Sequence, residues 1–211
     1  MTLFSLRTGF ALLLALSLAS CGGGSDTTYP ITGTVTGLAY DSLTLTAAGQ
    51  TIEIKKDPAT TATTVNPVRY SFPKSLSYGD PFLVALGKNP PNQNCAVGQT
   101  VMDSAGHRAS IDIFVECKIN LHVVSGKVTG LTSEGLELIN GSTSGKIAVT
   151  LASLATTNAA NAPSFAFVEI PVGQTYGVTI LSQPRTQTCT VMNGAGTMTD
   201  ADVTNVVIDC K

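Results

Sequence analysis

Ile31-Thr-Gly33-Thr-Val35-Thr-Gly37-Leu38 returns 93 residues later as Val124-Ser-Gly126-Lys-Val128-Thr-Gly130-Leu131. Within each stretch the apolar or small residues alternate with Thr, Ser or Lys. That period of two is the signature of a strand with one buried face. The correspondence continues along the chain. Leu43 and Leu45 match Leu136 and Leu138, and Tyr70-Ser-Phe72 matches Phe165-Ala-Phe167. Gly79, Phe82 and Val84 match Gly173, Tyr176 and Val178, while Pro90, Gln93 and Cys95 match Pro184, Gln187 and Cys189. Both copies close alike, on Val115-Glu-Cys117-Lys118 and Ile208-Asp-Cys210-Lys211, and the displacement stays between 93 and 95 residues. A period that long is outside the range of solenoid repeats and suits a duplicated domain.

The rest of each copy reads as strands and turns. Ile52 and Ile54 alternate with Thr51, Glu53 and Lys55, and Ile147, Val149 and Leu151 with Lys146, Ala148 and Thr150. Ile111, Ile113 and Val115, and later Val206 and Ile208, repeat the pattern near the ends. Gly49, Pro58, Pro67, Pro73, Pro81, Gly141, Pro163 and Pro171 punctuate the intervals. Six or seven short strands in about 90 residues is the count of an immunoglobulin-like sandwich. The expectation is therefore an all-β chain with two tandem immunoglobulin-like β-sandwich domains, 29–118 and 119–211. Residues 57–66 and 152–162 break the pattern and read as loops or single helical turns.

The amino terminus precedes the fold. Arg7 supplies a positive start, Phe10 to Leu18 form an apolar run, and Ala19-Ser20 are small residues directly before Cys21. A spanning helix needs about 20 apolar residues, roughly twice this run. Leu18-Ala-Ser-Cys21 resembles the bacterial lipoprotein signal, in which cleavage precedes a cysteine that carries lipid. The resemblance implies a signal peptide over 1–20, lipidation of Cys21 with diacylglycerol and an N-acyl chain, and a Gly/Ser tether over 21–28. Such multiple chains anchor stably where one is marginal. Gly22 after the cysteine is similar to the outer-membrane class, so the expected address is the bacterial cell envelope, at the outer membrane.

A second resemblance concerns the copies themselves. Phe165-Ala-Phe167, Gly173, Tyr176-Gly-Val178 and Gln183-Pro184 resemble a repeat of secreted bacterial proteins and, more loosely, the prealbumin-like sandwich. The first copy departs from it, with Phe82 for Tyr and Asn89-Pro90 for Gln-Pro. What the resemblance implies is an all-β display module with no catalytic residues to carry over.

Of the five cysteines, lipidation takes Cys21, and the remaining four allow three pairings. A domain copied intact carries its own bridge, which selects Cys95–Cys117 and Cys189–Cys210. An envelope location permits them. A metal site is the rival, but no Cys-x-x-Cys is present and neither histidine stands beside a cysteine at ligand spacing.

Composition excludes some classes. Only 12% of residues are charged, and 12 basic side chains less Arg7 leave 11 against 14 acidic ones. That thin, slightly acidic distribution gives no footprint for nucleic acid. His107 and His122 are the only histidines, and no local signature places a nucleophile beside either. Gly141-Ser-Thr-Ser-Gly145 reads as a hairpin turn rather than a nucleophile elbow, since Thr143 holds the centre. Asp200 and Asp202 near Asn205 offer the oxygens calcium takes, yet equally form a solvated turn. No catalytic residue, metal or cofactor is assigned beyond the lipid on Cys21. Candidate binding residues are Tyr40, Tyr78 and the polar loop Asn89-Pro90-Pro91-Asn92, which stand outside the shared core pattern. The function expected is a non-enzymatic envelope lipoprotein serving as a structural or protein-interaction module. Its partners would be the bilayer, through Cys21, and an envelope or surface protein. The alternatives are an adhesin or glycan-binding surface lipoprotein and, remotely, an envelope hydrolase.

Overall fold

A computed structural model describes residues 27–61, 63–98, 102–141, 145–156 and 164–211. The signal segment, Cys21 and the tether to Asp26 lie outside the described residues, as do 142–144 of the glycine-rich stretch. The protein is an all-β sandwich. Its first half runs β1 (Ile31–Thr36), β2 (Ser42–Ala47), β3 (Gln50–Lys55), β4 (Val68–Ser71), β5 (Pro81–Phe82), β6 (Ala85–Lys88), β7 (Gln93–Val97), β8 (Asp103–Ser104) and β9 (Ile111–Ile119). A sheet ordered β4-β1-β9-β7 faces a sheet ordered β3-β2-β6, with β5-β8 as a small flanking pair. β1 and β9 are parallel; the other pairs are antiparallel.

The second half runs β10 (Leu121–His122), β11 (Val124–Thr129), β12 (Leu136–Asn140), β13 (Lys146–Val149), α1 (Leu151–Thr156), β14 (Phe165–Ala166) and β15 (Ile170–Pro171). It continues with β16 (Thr175–Ser182), β17 (Cys189–Met192), β18 (Ala195–Thr197) and β19 (Val203–Cys210). Its sheets are β14-β11-β19-β17 and β13-β12-β16-β18, with β10-β15 as the small pair. The parallel pair recurs as β11 and β19.

The alternation read along β1 is the alternation of burial: Ile31 and Val35 are fully buried while the threonines lie toward solvent. Across from it Leu43 and Leu45 of β2 close the same core. Buried side chains gather into two groups. Ile31 through Cys117 form one, and Val124 through Cys210 form the other. Each fully buried Leu, Ile or Val contributes about 1.5–3 kcal/mol relative to exposure. β11 departs from strict alternation. Its register with β19 shifts between Val124 and Gly126, and the shift turns Ser125 inward, where its hydroxyl donates to the Val203 carbonyl at 3.1 Å.

Two local features follow directly from residue chemistry. The β2–β3 hairpin turns on Ala48-Gly49, both at positive φ (47° and 72°), the pairing a two-residue primed turn demands. Part of the irregular 152–162 segment is helical: α1 begins on a reciprocal cap, with Ser153 N–H donating to Thr150 Oγ1 at 3.0 Å and Thr150 N–H to Ser153 Oγ at 3.1 Å. Residues 157–163 lie outside the described residues. In the first half, 57–66 is a turn-rich loop in which the Asp57 carboxylate accepts from Ala59 N–H at 2.7 Å.

Gly33 and Gly126 occupy a position that only glycine fits. Gly33 pairs with Tyr70, and Gly126 with Phe165. A Cβ on Gly33 would overlap the Ile113 carbonyl oxygen and the Tyr70 ring, and on Gly126 the Val206 carbonyl oxygen. The Tyr70 ring therefore packs directly against bare backbone. The Tyr70 hydroxyl donates to the Ile113 carbonyl at 2.7 Å. Burial, aided by the nearby Asp112 carboxylate, pushes that phenol above its ordinary range.

The disulfides are Cys95–Cys117 and Cys189–Cys210, the pairs that duplication selects. Each joins residues directly opposed on antiparallel strands, β7 with β9 and β17 with β19. The neighbouring pair Thr188 and Lys211 exchanges both backbone bonds at 3.0 Å, so Cys189 and Cys210 occupy a non-hydrogen-bonded site. Opposed side chains stand closest at such sites, which lets two cysteines bridge across the ladder.

Candidate functional site

The loop ends of the sheets are organised by side-chain amides. Gln93, 3% exposed, begins β7. Its Nε2 donates to the Gly37 carbonyl at 2.7 Å, and its Oε1 accepts from Ala39 N–H at 2.9 Å and Tyr40 N–H at 3.0 Å. Gln187 does the same in the second half, with Gly130 at 2.7 Å, Thr132 at 2.6 Å and Ser133 at 3.1 Å. Gly37 and Gly130 turn at φ 74° and 71°. A Cβ on either would overlap the carbonyl oxygen of Cys117 or Cys210. The repeated glycine, glutamine and cysteine thus make one clamp at the end of each parallel pair.

Asn89 and Gln183 form the companion contact. Asn89 Oδ1 accepts from Cys95 N–H at 2.8 Å, and Gln183 Oε1 accepts from Cys189 N–H at 2.8 Å. What reads in sequence as a departure of the first copy is therefore the same bond made by a shorter amide.

The candidate binding residues do not form one surface. Tyr40 and the Asn89 to Asn92 loop lie at the end of β1 where the clamp sits. The Tyr40 hydroxyl donates to the Val172 carbonyl of the second half at 3.1 Å. Pro90 is buried, Pro91 exposed, and Asn92 turns at φ 60°. The Asn92 carbonyl accepts from Asn120 N–H at 2.9 Å. Tyr78 stands at the opposite end of β1, 77% exposed. A strand of six residues separates the two ends, about 20 Å at ~3.3 Å per residue.

Past Ile119 the chain runs through Asn120 into β10. There Asn120 Nδ2 donates to Asp200 Oδ1 at 2.8 Å, and the Val172 N–H donates to the Asn120 carbonyl at 3.0 Å. His122 stands between two carboxylates. Its Nε2 lies 2.9 Å from Asp200 Oδ1 and its Nδ1 3.2 Å from Asp202 Oδ1. Asp202 Oδ1 also accepts from Val123 N–H at 3.0 Å. Two acceptors facing two ring nitrogens favour the imidazolium, which donates to both. The Asp200 bond is the main cause holding the His122 pKa above its ordinary value, with Asp202 adding to it. Asp200 is held low first by Asn120 and then by His122; Asp202 is held low first by the Val123 N–H and then by His122. The imidazole occupies the space between the carboxylates, and Asn205 instead offers its carbonyl to Asn193 Nδ2 at 3.1 Å. Among the described residues no group of three His, Cys, Asp or Glu is placed to hold a metal ion.

His107, whose side chain is 75% exposed, meets Asp103 at 3.2 Å, and Arg108 Nε meets the other oxygen of Asp103 at 3.6 Å. The Ser104 N–H is the first cause of the lowered Asp103 pKa, followed by His107. A cavity of about 570 Å³ opens beside this loop, lined by residues that include Phe82, Asp103, Arg108, Ile111 and Asp112. Ser142, Thr143 and Ser144 lie outside the described residues; the strands they join, β12 and β13, are antiparallel neighbours.

Sequence reasoning noted Gln93 and Gln187 only as matched positions and assigned them no role. The signal was their retention in both copies beside a Gly-Leu turn.

No protein-family model matches the chain, and no curated protein matches it. Among solved structures it is similar to the Bacillus anthracis TIE protein, with TM-score 0.48 and 10% identity over 87% of this chain and 34% of that one. The chain thus spans about a third of that relative's length. It is also similar to a major pilin protein from Streptococcus pyogenes, with TM-score 0.34 and 10% identity over 87% of this chain and 96% of that one. Neither likeness tells what this chain binds.

Proposed function

We propose that the protein is a non-enzymatic lipoprotein of the bacterial cell envelope. It is anchored through acylated Cys21, at the outer membrane, and presents two tandem sandwich domains, 29–118 and 119–211, as a structural or protein-interaction module. The observation that carries this reading is the use made of the polar side chains. Gln93, Gln187, Asn89, Tyr40 and His122 bind backbone or carboxylate groups that fix turns and the joint at Asn120. Such bonds favour one rigid shape, which is what a display scaffold requires. Two disulfides in register with the ladders support the same reading.

The test has two arms. Metabolic acyl labelling and membrane fractionation of wild type and Cys21→Ser examine the anchor; no acyl label on wild type, or equal partition of the two, would refute it. Crosslinking in intact cells, followed by identification of adducts, examines display. A reproducible envelope-protein adduct supports an interaction module, whereas binding on a glycan array would move the reading to an adhesin.

A further inference from the structure

Eight large apolar side chains stand exposed among the described residues, and three of them, Tyr78, Leu83 and Met102, lie on the two segments that the β5–β8 pair joins. Tyr78 is 77% exposed, Met102 70% and Leu83 38%. Leu83 and Met102 flank the Phe82–Asp103 pair that ends the β5–β8 ladder. Tyr78 lies across Gly106: a Cβ there would overlap its ring and stand 3.2 Å from the Tyr29 hydroxyl. The same loops are tied together by Gly79 N–H to the Ala105 carbonyl at 2.8 Å and Ala105 N–H to the Asp80 carbonyl at 2.9 Å.

Tyr29 is where the chain enters the sandwich. It exchanges both backbone bonds with Leu76, at 2.8 and 2.9 Å. Eight residue steps separate it from Cys21. Fully extended, they reach at most about 29 Å at ~3.6 Å each. An acyl group on Cys21 therefore keeps the bilayer surface within about 29 Å of Tyr29, whose hydroxyl shares the Gly106 contact with the Tyr78 ring.

We propose that the corner formed by Tyr78, Leu83 and Met102 is a second membrane contact, which seats the amino-terminal end of the sandwich on the bilayer that holds Cys21. It rests on the lipoprotein reading above. Tyrosine suits the headgroup level because its ring is apolar and its hydroxyl polar. Leu83 and Met102 lose water-exposed apolar surface on insertion. Arg108, 68% exposed on the same loop and shared with Asp103, places a cation where lipid phosphates stand. The contact needs little affinity of its own, because the short tether makes it intramolecular at an effective concentration in the millimolar range.

The test uses the acylated full chain in vesicles of phosphatidylethanolamine and phosphatidylglycerol. A photoactivatable benzophenone amino acid replaces Tyr78 in one preparation and, as the distant exposed control, Met192 in another. The expected result is a lipid adduct at least several-fold more abundant from position 78. Equal yields, or an adduct to a second copy of the chain from position 78, would overturn the contact while flotation of the protein with the vesicles leaves the anchor standing. Absence of the acyl group on Cys21 by mass would instead overturn the anchor, and the contact with it. As a second measurement, trypsin should cut after Arg108 several-fold faster in the vesicle-bound Tyr78→Ser, Met102→Gln variant than in wild type; an unchanged rate would count against the contact.

Discussion

The Gln93 side chain closes on Gly37: its amide donates to the glycine carbonyl at 2.7 Å while its oxygen takes the next turn's Ala39 and Tyr40 N–H groups. Removing it leaves three backbone groups of a half-buried turn without their partner. Gln93→Ala should cost about 2–3 kcal/mol. Gln187, which is half-buried, admits water as a substitute, so Gln187→Ala should cost about 1 kcal/mol. Urea unfolding of the two variants checks the order as well as the size.

The glycines under Tyr70 and Phe165 predict a sharper loss. In Gly33→Ala the new methyl meets the Ile113 carbonyl, and in Gly126→Ala the Val206 carbonyl; both are rigid backbone in a parallel pair. Each variant should lose about 3 kcal/mol or more, or fail to fold. Gly145, whose Cβ would meet nothing within 4 Å among the described residues, serves as the control, and Gly145→Ala should unfold within about 0.5 kcal/mol of wild type.

Each disulfide closes a loop of about 22 residues, which the chain-entropy model values at about 3 kcal/mol. The double replacement Cys95→Ala, Cys117→Ala should lower stability by about that amount and leave the Cys189–Cys210 peptide intact on non-reducing mapping. A mapped peptide joining the two halves would contradict the pairing.

The joint predicts a pH dependence of definite sign. His122 has a raised pKa, so its contribution is complete below its unfolded value of about 6.5 and fades as pH climbs through the higher folded value. Asp200 and Asp202 have lowered pKa values, so theirs is present above about 3.8 and fades as pH falls through the lower folded values. The His122–Asp200–Asp202 contacts should therefore stabilise most between about pH 4 and 6.5. Thermal unfolding across pH should show His122→Gln flattening the loss on the alkaline side. Parallel curves for the two proteins would remove His122 from the joint.

Much of the architecture was legible. The strands around Gly33 and Gly126, the break at Gly49 and the two cysteine pairs followed from alternation, turn residues and the copying of one unit. The role of Asn89 was not legible, because sequence likeness compares residue types while the structure compares which atom reaches the Cys95 N–H. Tyr40 and Tyr78 looked alike as additions to the first copy. Only the fold separates them to opposite ends of β1, one bonded to Val172 and the other exposed beside Tyr29.

By itself the sequence determined what is periodic or covalent: an all-β chain, its alternating faces, and bridges at Cys95–Cys117 and Cys189–Cys210. Those follow from local chemistry and from repetition at a near-constant displacement. The tertiary structure alone decided which residues distant along the chain share a bond. The parallel pairing of β1 with β9, the Gln93 clamp on Gly37 and the seat of His122 between Asp200 and Asp202 join residues some 55 to 80 positions apart. Contacts at that separation are set by sheet order and register, which no local pattern encodes.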